Sequence, residues 1–349
     1  LKAGISYEFL KRNDGWKNLA QTYQLPQKPV ALEHGLAYQA MNENQIDFTD
    51  AYSTDGEIKA NNLIVLRDDK SFFPRYEAVY FYKDELSSLL KPVLAVLEKR
   101  IDEDKMQAMN AEVLYNGKTF QQVAADFLLK EGIIANEQDA TSQTADIWKK
   151  TSRHLLLTFG AVVLAVLVAL PLAIGLNRQP VAANAVLYVA GLLQTIPSIA
   201  LLAIMIPLLG IGILPATVAL FLYALLPILR NTLVGLRTVD PLLKKVADGM
   251  GLPPVARLRW VELPLAMPSI LAGIRTAAVI SVGTATLAAF IGAGGLGEYI
   301  VAGLALNNTR MILQGALPAA ALAILIEWGF EGIERLLIPR HLLNRNGER

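Results

Sequence analysis

Apolar residues gather in long unbroken runs in the second half of this chain and in short, interrupted ones in the first. Leu155–Leu176 carries no charge across 22 residues. A helix crossing a bilayer core of about 30 Å needs about 20 apolar residues, so this run predicts a membrane span. Val181–Leu209 is also uncharged and exceeds one span. It contains Gly191 and Pro197, which predicts a tilted or broken helix. Ile211–Leu229, closed by Arg230, predicts a third span. Ser269–Ile291, with Arg275 inside it, predicts a fourth. Met311–Trp328, continuing toward Leu337, predicts a fifth.

The first half has a different rhythm. Ile46–Tyr52, Leu63–Leu66 and Ala78–Phe81 read as strands, and Leu86–Ile101 and Phe120–Glu131 as amphipathic helices. This is the pattern of an α/β domain. Residues 1–140 are assigned to it, 141–153 to a linker, and 154–340 to a membrane domain.

Charge separates the same halves. Residues 1–150 hold 18 Lys/Arg against 23 Asp/Glu, while residues 151–349 hold 14 against 8. The mean hydropathy of +0.38 is high for a soluble protein. There is no cysteine, which excludes disulfides and thiolate metal sites. His34, His154 and His341 are far apart in sequence and suggest no metal site. The chain starts at Leu1 without an initiator Met or a signal-peptide pattern, so an earlier part of it is expected to be absent.

Between the third and fourth spans lies a polar stretch, Lys245-Val-Ala-Asp-Gly-Met-Gly251 followed by Leu-Pro-Pro-Val-Ala-Arg-Leu-Arg-Trp-Val-Glu-Leu-Pro264. So charged a segment must emerge into water. Leu242–Met250 predicts a short helix, Gly251 its C-cap, and Pro253-Pro254 its end. Arg178, Arg230, Arg237, Lys244, Lys245, Arg257, Arg259, Arg335, Arg340, Arg345 and Arg349 fall on one side of the predicted topology. Only Arg153 and Arg310 fall on the other. The positive-inside rule puts this polar loop and the C-terminus in the cytoplasm. Five spans then put residues 1–150 on the opposite, periplasmic or extracellular side. Arg275 is expected to snorkel toward the cytoplasmic surface. Ser281, Thr284 and Thr286 with Gly283 read as helix-packing residues, and Gly292–Gly297 as a packing or gating loop.

Gly251 and the Leu263-Pro264 pair fit the signature loop of bacterial ABC importer permeases. Leu271-Ala-Gly-Ile-Arg-Thr-Ala and the run Gly283 to Gly297 resemble the osmoprotectant (glycine betaine/carnitine/choline) branch. The resemblance covers about residues 150–338. It implies the type I importer fold, all-α and multi-span, in the inner membrane. It also implies that about 241–264 forms a coupling helix docking on a separate ATPase subunit dimer, with Lys245, Ala247, Asp248, Gly251, Leu263 and Pro264 in that role. Lys245-Val246-Ala247 stands where the family usually has Glu-Ala-Ala. A second permease subunit, forming a homodimer, is implied as well. No cofactor is expected in this chain: ATP and Mg belong to the partner. Gly117-Lys118-Thr119 ends like a Walker A loop, but Glu112 stands where its first Gly belongs.

In the first half, Glu8–Gly15, Gly35–Ala40, Asp50–Gly56 and Phe72–Tyr76 resemble the binding domains of the same family. This implies a partial, type II periplasmic-binding-protein-like α/β domain. Its ligand would be a small quaternary-ammonium solute in an aromatic cage. Tyr52 and Tyr76 match cage positions, Arg12 the carboxylate-binding position, and Asp50 and Thr54 supporting positions. Tyr80 and Tyr82 read as packing residues. The chemistry suits the ligand, because a trimethylammonium group cannot donate a hydrogen bond and is attracted by ring faces. A carboxylate suits an Arg fork. Glycine betaine, choline and carnitine are the expected solutes. Ergothioneine in the same architecture is the near alternative, and a membrane-anchored sensor or channel without an ATPase the distant one. Neither half shows a catalytic constellation, and no nucleic-acid partner is expected.

Overall fold

The computed structural model describes residues 1–134, 143–306 and 308–338. Arg340, His341, Arg345 and Arg349 lie outside the described residues, as do 135–142 at the expected domain boundary. The chain divides into two units, Leu1–Gln143 with Leu304–Asn308, and Thr144–Gly303 with the chain from Thr309 onward.

The first unit is built on two short parallel strands, β1 (Gly4–Ser6) and β2 (Val30–Leu32), with Gly4 opposite Val30 and Ser6 opposite Leu32. Helices α1 (Tyr7–Lys11) and α2 (Trp16–Tyr23) follow β1, and α3 (His34–Asn42) follows β2. Ala3, Ile5, Phe9 and Trp16 form one small core, and Ala37, Ala40 and Ile46 another. Then come α4 (Gly56–Ala60), α5 (Ser87–Ala95), α6 (Glu103–Tyr115) and α7 (Phe120–Lys130).

The three expected strands do not form. Ile46–Tyr52 contributes one isolated bridge, Phe48 to Ala3. Leu63–Leu66 and Ala78–Phe81 lie outside regular structure, with Ile64 88% and Phe81 94% exposed. Apolar β-branched composition makes a strand only when a neighbour supplies the ladder, and no described segment pairs with these. Tyr80 and Tyr82 are accordingly exposed rather than packed. The expected helix Leu86–Ile101 stops at Ala95. Lys99 takes a positive φ of 58°, and the Asp102 carboxylate caps a new helix by accepting from Lys105 N. Gly117-Lys118-Thr119 is a helix entrance: Lys118 pairs with Glu112 (3.1 Å) and Asp126 (3.0 Å), and Thr119 with Gln122 forms a capping box on α7.

The second unit is helical: α8 (Gln143–Leu176), α9 (Pro180–Thr195), α10 (Ser198–Leu209), α11 (Ile213–Arg237), α12 (Pro241–Gly249), α13 (Pro254–Arg257), α14 (Leu263–Ala285), α15 (Gly297–Ala305) and α16 (Thr309–Leu337). The stretch expected as a linker is helical from Gln143 and forms the start of α8. Among the described residues, four helices are long and apolar enough to cross a membrane, and α9 with α10 adds a fifth crossing if the pair is one broken span. That break falls at Pro197, with a 98° bend. Gly191 stays within α9. The Ile196 carbonyl freed at the bend accepts the Tyr223 hydroxyl of α11, so the interruption leaves no orphaned acceptor there. Gly292–Gly297 is a packed loop, with Ala293 and Leu296 buried and the Ala293 carbonyl accepting from Arg153 Nε at 3.2 Å.

Arg275 does not run to an aqueous surface alone. It lies 3.6 Å from Glu327 and 3.5 Å from Glu334, both on α16. Two carboxylates two helical turns apart bracket one guanidinium, which lowers the cost of a charge inside a span.

The centre of the unit is α11 against α14. They run antiparallel: Gly235 faces Ala266 and Ser269, while Gly273 faces Pro227 and Asn231. A Cβ on Gly273 would stand 2.7 Å from the Asn231 Cβ and 2.8 Å from the Pro227 carbonyl oxygen. Backbones this close exclude larger side chains. Gly273→Leu should therefore push the helices apart and cost about 1–3 kcal/mol, the usual scale of overpacking. Thermal unfolding of the full chain in detergent checks this. An unchanged midpoint would mean that this contact is not tight.

Candidate functional site

Two arrangements in the first unit gather the expected ligand-binding residues. Arg12 caps the C-terminus of α1. Its Nε and Nη2 donate to the two Asp14 carboxylate oxygens at 2.8 and 2.6 Å, and Nη2 also donates to the Tyr76 hydroxyl at 2.8 Å. The guanidinium carbon sits 5.3 Å from the Tyr76 ring centre, and Glu8 lies 3.6 Å away. The Tyr76 hydroxyl donates to Asp14 in turn. Hydrogen bonds from Arg12 and then Tyr76 hold the Asp14 carboxyl well below the usual carboxylate range. The structure thus brings Arg12 and Tyr76 together as expected, and adds Asp14. The Arg fork is occupied here by an internal carboxylate.

The second arrangement is the loop Tyr52–Asp55. Asp55 Oδ2 accepts from His34 Nε2 at 3.0 Å, from the Tyr38 hydroxyl at 2.5 Å and from the Tyr52 amide at 3.0 Å. From the other side, α6 holds the loop backbone. Asn110 Nδ2 donates to the Thr54 carbonyl at 2.8 Å and Gln107 Nε2 to the Ser53 carbonyl, while the Ser53 hydroxyl donates to Glu103 at 3.0 Å. Tyr52 remains 53% exposed, with its ring centre 5.2 Å from that of His34 in an edge-on contact. Burial raises the Tyr52 phenol first. Glu8 adds to this and Arg12 opposes it, so the Tyr52 ring lies within the field of the Arg12 corner. Thr54 contributes its backbone rather than its hydroxyl. Asp50 ties down the start of α1: it accepts from Ser6 N at 2.7 Å and Ser6 Oγ at 2.6 Å, while Ser6 caps Phe9 N.

His34, Tyr38, Asp55, Gln107 and Asn110 escaped the sequence reading. The available signal was Asp55 ahead of Gly56, an acidic residue at a helix entrance with a loop to hold.

In the second unit, the polar loop between α11 and α14 folds into a helical handle. The Asp240 carboxylate caps α12 by accepting from Leu242 N at 2.8 Å, and Lys244 Nζ donates to the Leu236 carbonyl at 2.9 Å. Ala247 is buried and Lys245 exposed. Gly251 takes a φ of +79°, and Leu252 N closes the turn onto the Ala247 carbonyl at 3.1 Å. Asp248 binds Arg257 at 2.5 Å, and Arg257 Nε donates to the buried Glu262 at 2.8 Å. This triad, of which only Asp248 was expected to matter, staples α12 to the π-helical turn Leu258–Glu262. Leu263 packs partly into the core of Leu236, Ala266 and Ile270, and Pro264 is exposed. Leu242, Leu243, Val246 and Met250 leave an apolar stripe exposed, and Trp260 is also exposed.

Comparison with known proteins places both halves. Residues 1–130 match the substrate binding domain of ABC-type glycine betaine transport systems, and residues 161–341 the inner membrane component of binding-protein-dependent transport systems. The chain belongs to this transporter family. It is similar to the choline transport system permease protein of Bacillus subtilis, 48% identical over 190 residues, 54% of this chain and 88% of that one. It is similar to the osmoprotectant import permease protein of Salmonella typhimurium, 45% identical over 195 residues, 54% of this chain and 91% of that one. Its fold matches an inward-facing MetNI methionine ABC transporter at TM-score 0.51 and 25% identity, over 58% of this chain and 100% of that one. The chain therefore fuses a substrate-binding domain to an importer-type permease, as a multi-pass inner-membrane protein.

The His34–Asp55 bond gives the binding domain a pH dependence. The hydrogen bond from His34 to Asp55 raises the imidazole above its ordinary 6.5, against an opposing effect of burial. A pKa raised by folding stabilises fully below the unfolded value and stops doing so as pH rises through the folded one. Unfolding of the first unit should become easier between pH 6.5 and alkaline pH. His34→Gln should flatten that component of the thermal-denaturation profile. An identical slope in the variant would remove His34 from the account.

Proposed function

We propose that this chain is the combined solute-capturing and membrane-spanning subunit of an ATP-driven importer for quaternary-amine compatible solutes. The reading is carried by the handle. Its inner side is pinned by Ala247 and the Asp248–Arg257–Glu262 triad, while its outer side leaves Leu242, Leu243, Val246 and Met250 uncovered. A charged segment between two spans stays in water, and a rigid apolar stripe there asks for a protein partner. An ATPase subunit dimer docked on the handle would transmit nucleotide binding through α11 and α14. ATP and Mg would lie on that partner, and a second copy of this chain would complete the path. The handle then faces the cytoplasm, and residues 1–150 face outward.

The solute class follows from the first unit. Tyr52 and Tyr76 offer ring faces to a group that cannot hydrogen-bond. Arg12 offers a fork for a carboxylate, with Asp14 as the internal stand-in that a ligand carboxylate would displace. Support comes from the named transport roles of the relatives, choline and osmoprotectant import.

Two substitutions separate the functions. Proline cannot adopt the φ of +79° at Gly251, so Gly251→Pro should abolish uptake into cells while leaving solute binding intact. Normal uptake would sink the coupling role. Tyr52→Ala should weaken choline binding about 2- to 30-fold, the range of about 0.5–2 kcal/mol for one cation–π contact. Calorimetry on the full chain in nanodiscs reads this, and an unchanged affinity would remove Tyr52 from the cage.

A further inference from the structure

A cage ring is useful only if it is already aimed. Cation–π attraction depends on presenting the ring face, and a ring that must first be ordered gives back part of the attraction. Tyr52 has no core to lock it, since half of it is exposed. Beyond the turn bond from Asp55 N to its carbonyl, two contacts fix it: its amide donates to Asp55 Oδ2, and its ring meets the His34 ring at 5.2 Å with a 62° interplanar angle. Both contacts run through the same pair, because His34 Nε2 also bonds Asp55 Oδ2. His34 is itself held from its own helix, with the Tyr38 ring 5.6 Å away and perpendicular.

We propose that His34 and Asp55 are positioning residues that aim the Tyr52 ring at a quaternary ammonium and set its affinity without touching it. The proposal rests on Tyr52 being a cage residue. The groups that act on His34 are Asp55, Tyr38 and Tyr52, with Glu33 beside it, Asp50 beyond, and Glu57 on α4. Every charged member of that set is acidic, so the imidazolium form is favoured, and the bond to Asp55 is charge-assisted while it persists. Raising the pH past the His34 titration weakens the tether on the loop. Affinity for a cation then falls, although the cation itself has not changed.

Choline is the appropriate probe, because it carries a permanent charge and no group that titrates between pH 6 and pH 9. Calorimetry would compare the unaltered full chain in nanodiscs with His34→Ala, His34→Gln and Tyr52→Ala at both pH values. The unaltered chain should bind choline more weakly at pH 9 than at pH 6. His34→Ala should lose about tenfold at pH 6, the scale of one charge-assisted hydrogen bond. His34→Gln keeps an Nε2 donor without a titrating group, so it should retain most of the affinity and lose the pH dependence. Wild-type affinity in His34→Ala, or a wild-type pH profile in His34→Gln, overturns the positioning role while leaving the cage in place. An unaffected Tyr52→Ala, or no choline binding by the unaltered chain, overturns the cage reading and this proposal with it.

Discussion

The close antiparallel packing of α11 on α14 is the constraint on which the membrane half depends. These helices meet through Gly235 and Gly273, which place no side chain of their own at the contact. The handle joins their ends directly, from Arg237 to Leu263. The handle is therefore anchored at both ends to one closely packed helix pair. The Asp248–Arg257–Glu262 triad removes the freedom left in the link, and the positive φ at Gly251 sets its turn.

The binding half solves the opposite problem. The cage proposed for it needs exposed aromatic rings in fixed orientations, and exposed rings have little packing to hold them. Hydrogen bonds to the backbone of one loop replace that packing. Asp55 collects three donors on one side, while Gln107 and Asn110 hold the two neighbouring carbonyls on the other. The Arg12–Asp14–Tyr76 cluster does the same for the second ring. The Arg12–Asp14–Tyr76 cluster is not a stability device of much weight, because its charges are partly exposed. In the proposed cage the two arrangements orient the two rings.

Much of the membrane half was legible because lipid imposes a one-dimensional rule: apolar length predicts a span, and Pro197 predicts where one breaks. The handle was legible for the same reason, with Gly251 and Pro253-Pro254 as local punctuation. Contacts between distant positions were not. Arg275 looked solitary because Glu327 and Glu334 lie on a helix more than fifty residues further on. Asp14 sits two residues from Arg12, yet nothing in the pattern says that it, rather than solvent, fills the fork. Leu63–Leu66 and Ala78–Phe81 misled for a physical reason. Strand composition is a statement about a surface to be covered, and strands exist only where a neighbour covers it. His34 and Asp55 meet from separate elements, so although Asp55 ahead of Gly56 marks a helix entrance, spacing along the chain carries no trace of their pairing.

The central claim is that one chain links solute capture to an ATPase through the handle. The most direct measurement is ATP hydrolysis by the full chain reconstituted in nanodiscs with its co-purified ATPase subunit, with and without a quaternary-ammonium solute. The account predicts that solute stimulates hydrolysis, and that Arg257→Ala, which unpins the handle, abolishes the stimulation while solute still binds. Hydrolysis indifferent to both solute and handle, or the failure of any ATPase to associate with the chain, would contradict it.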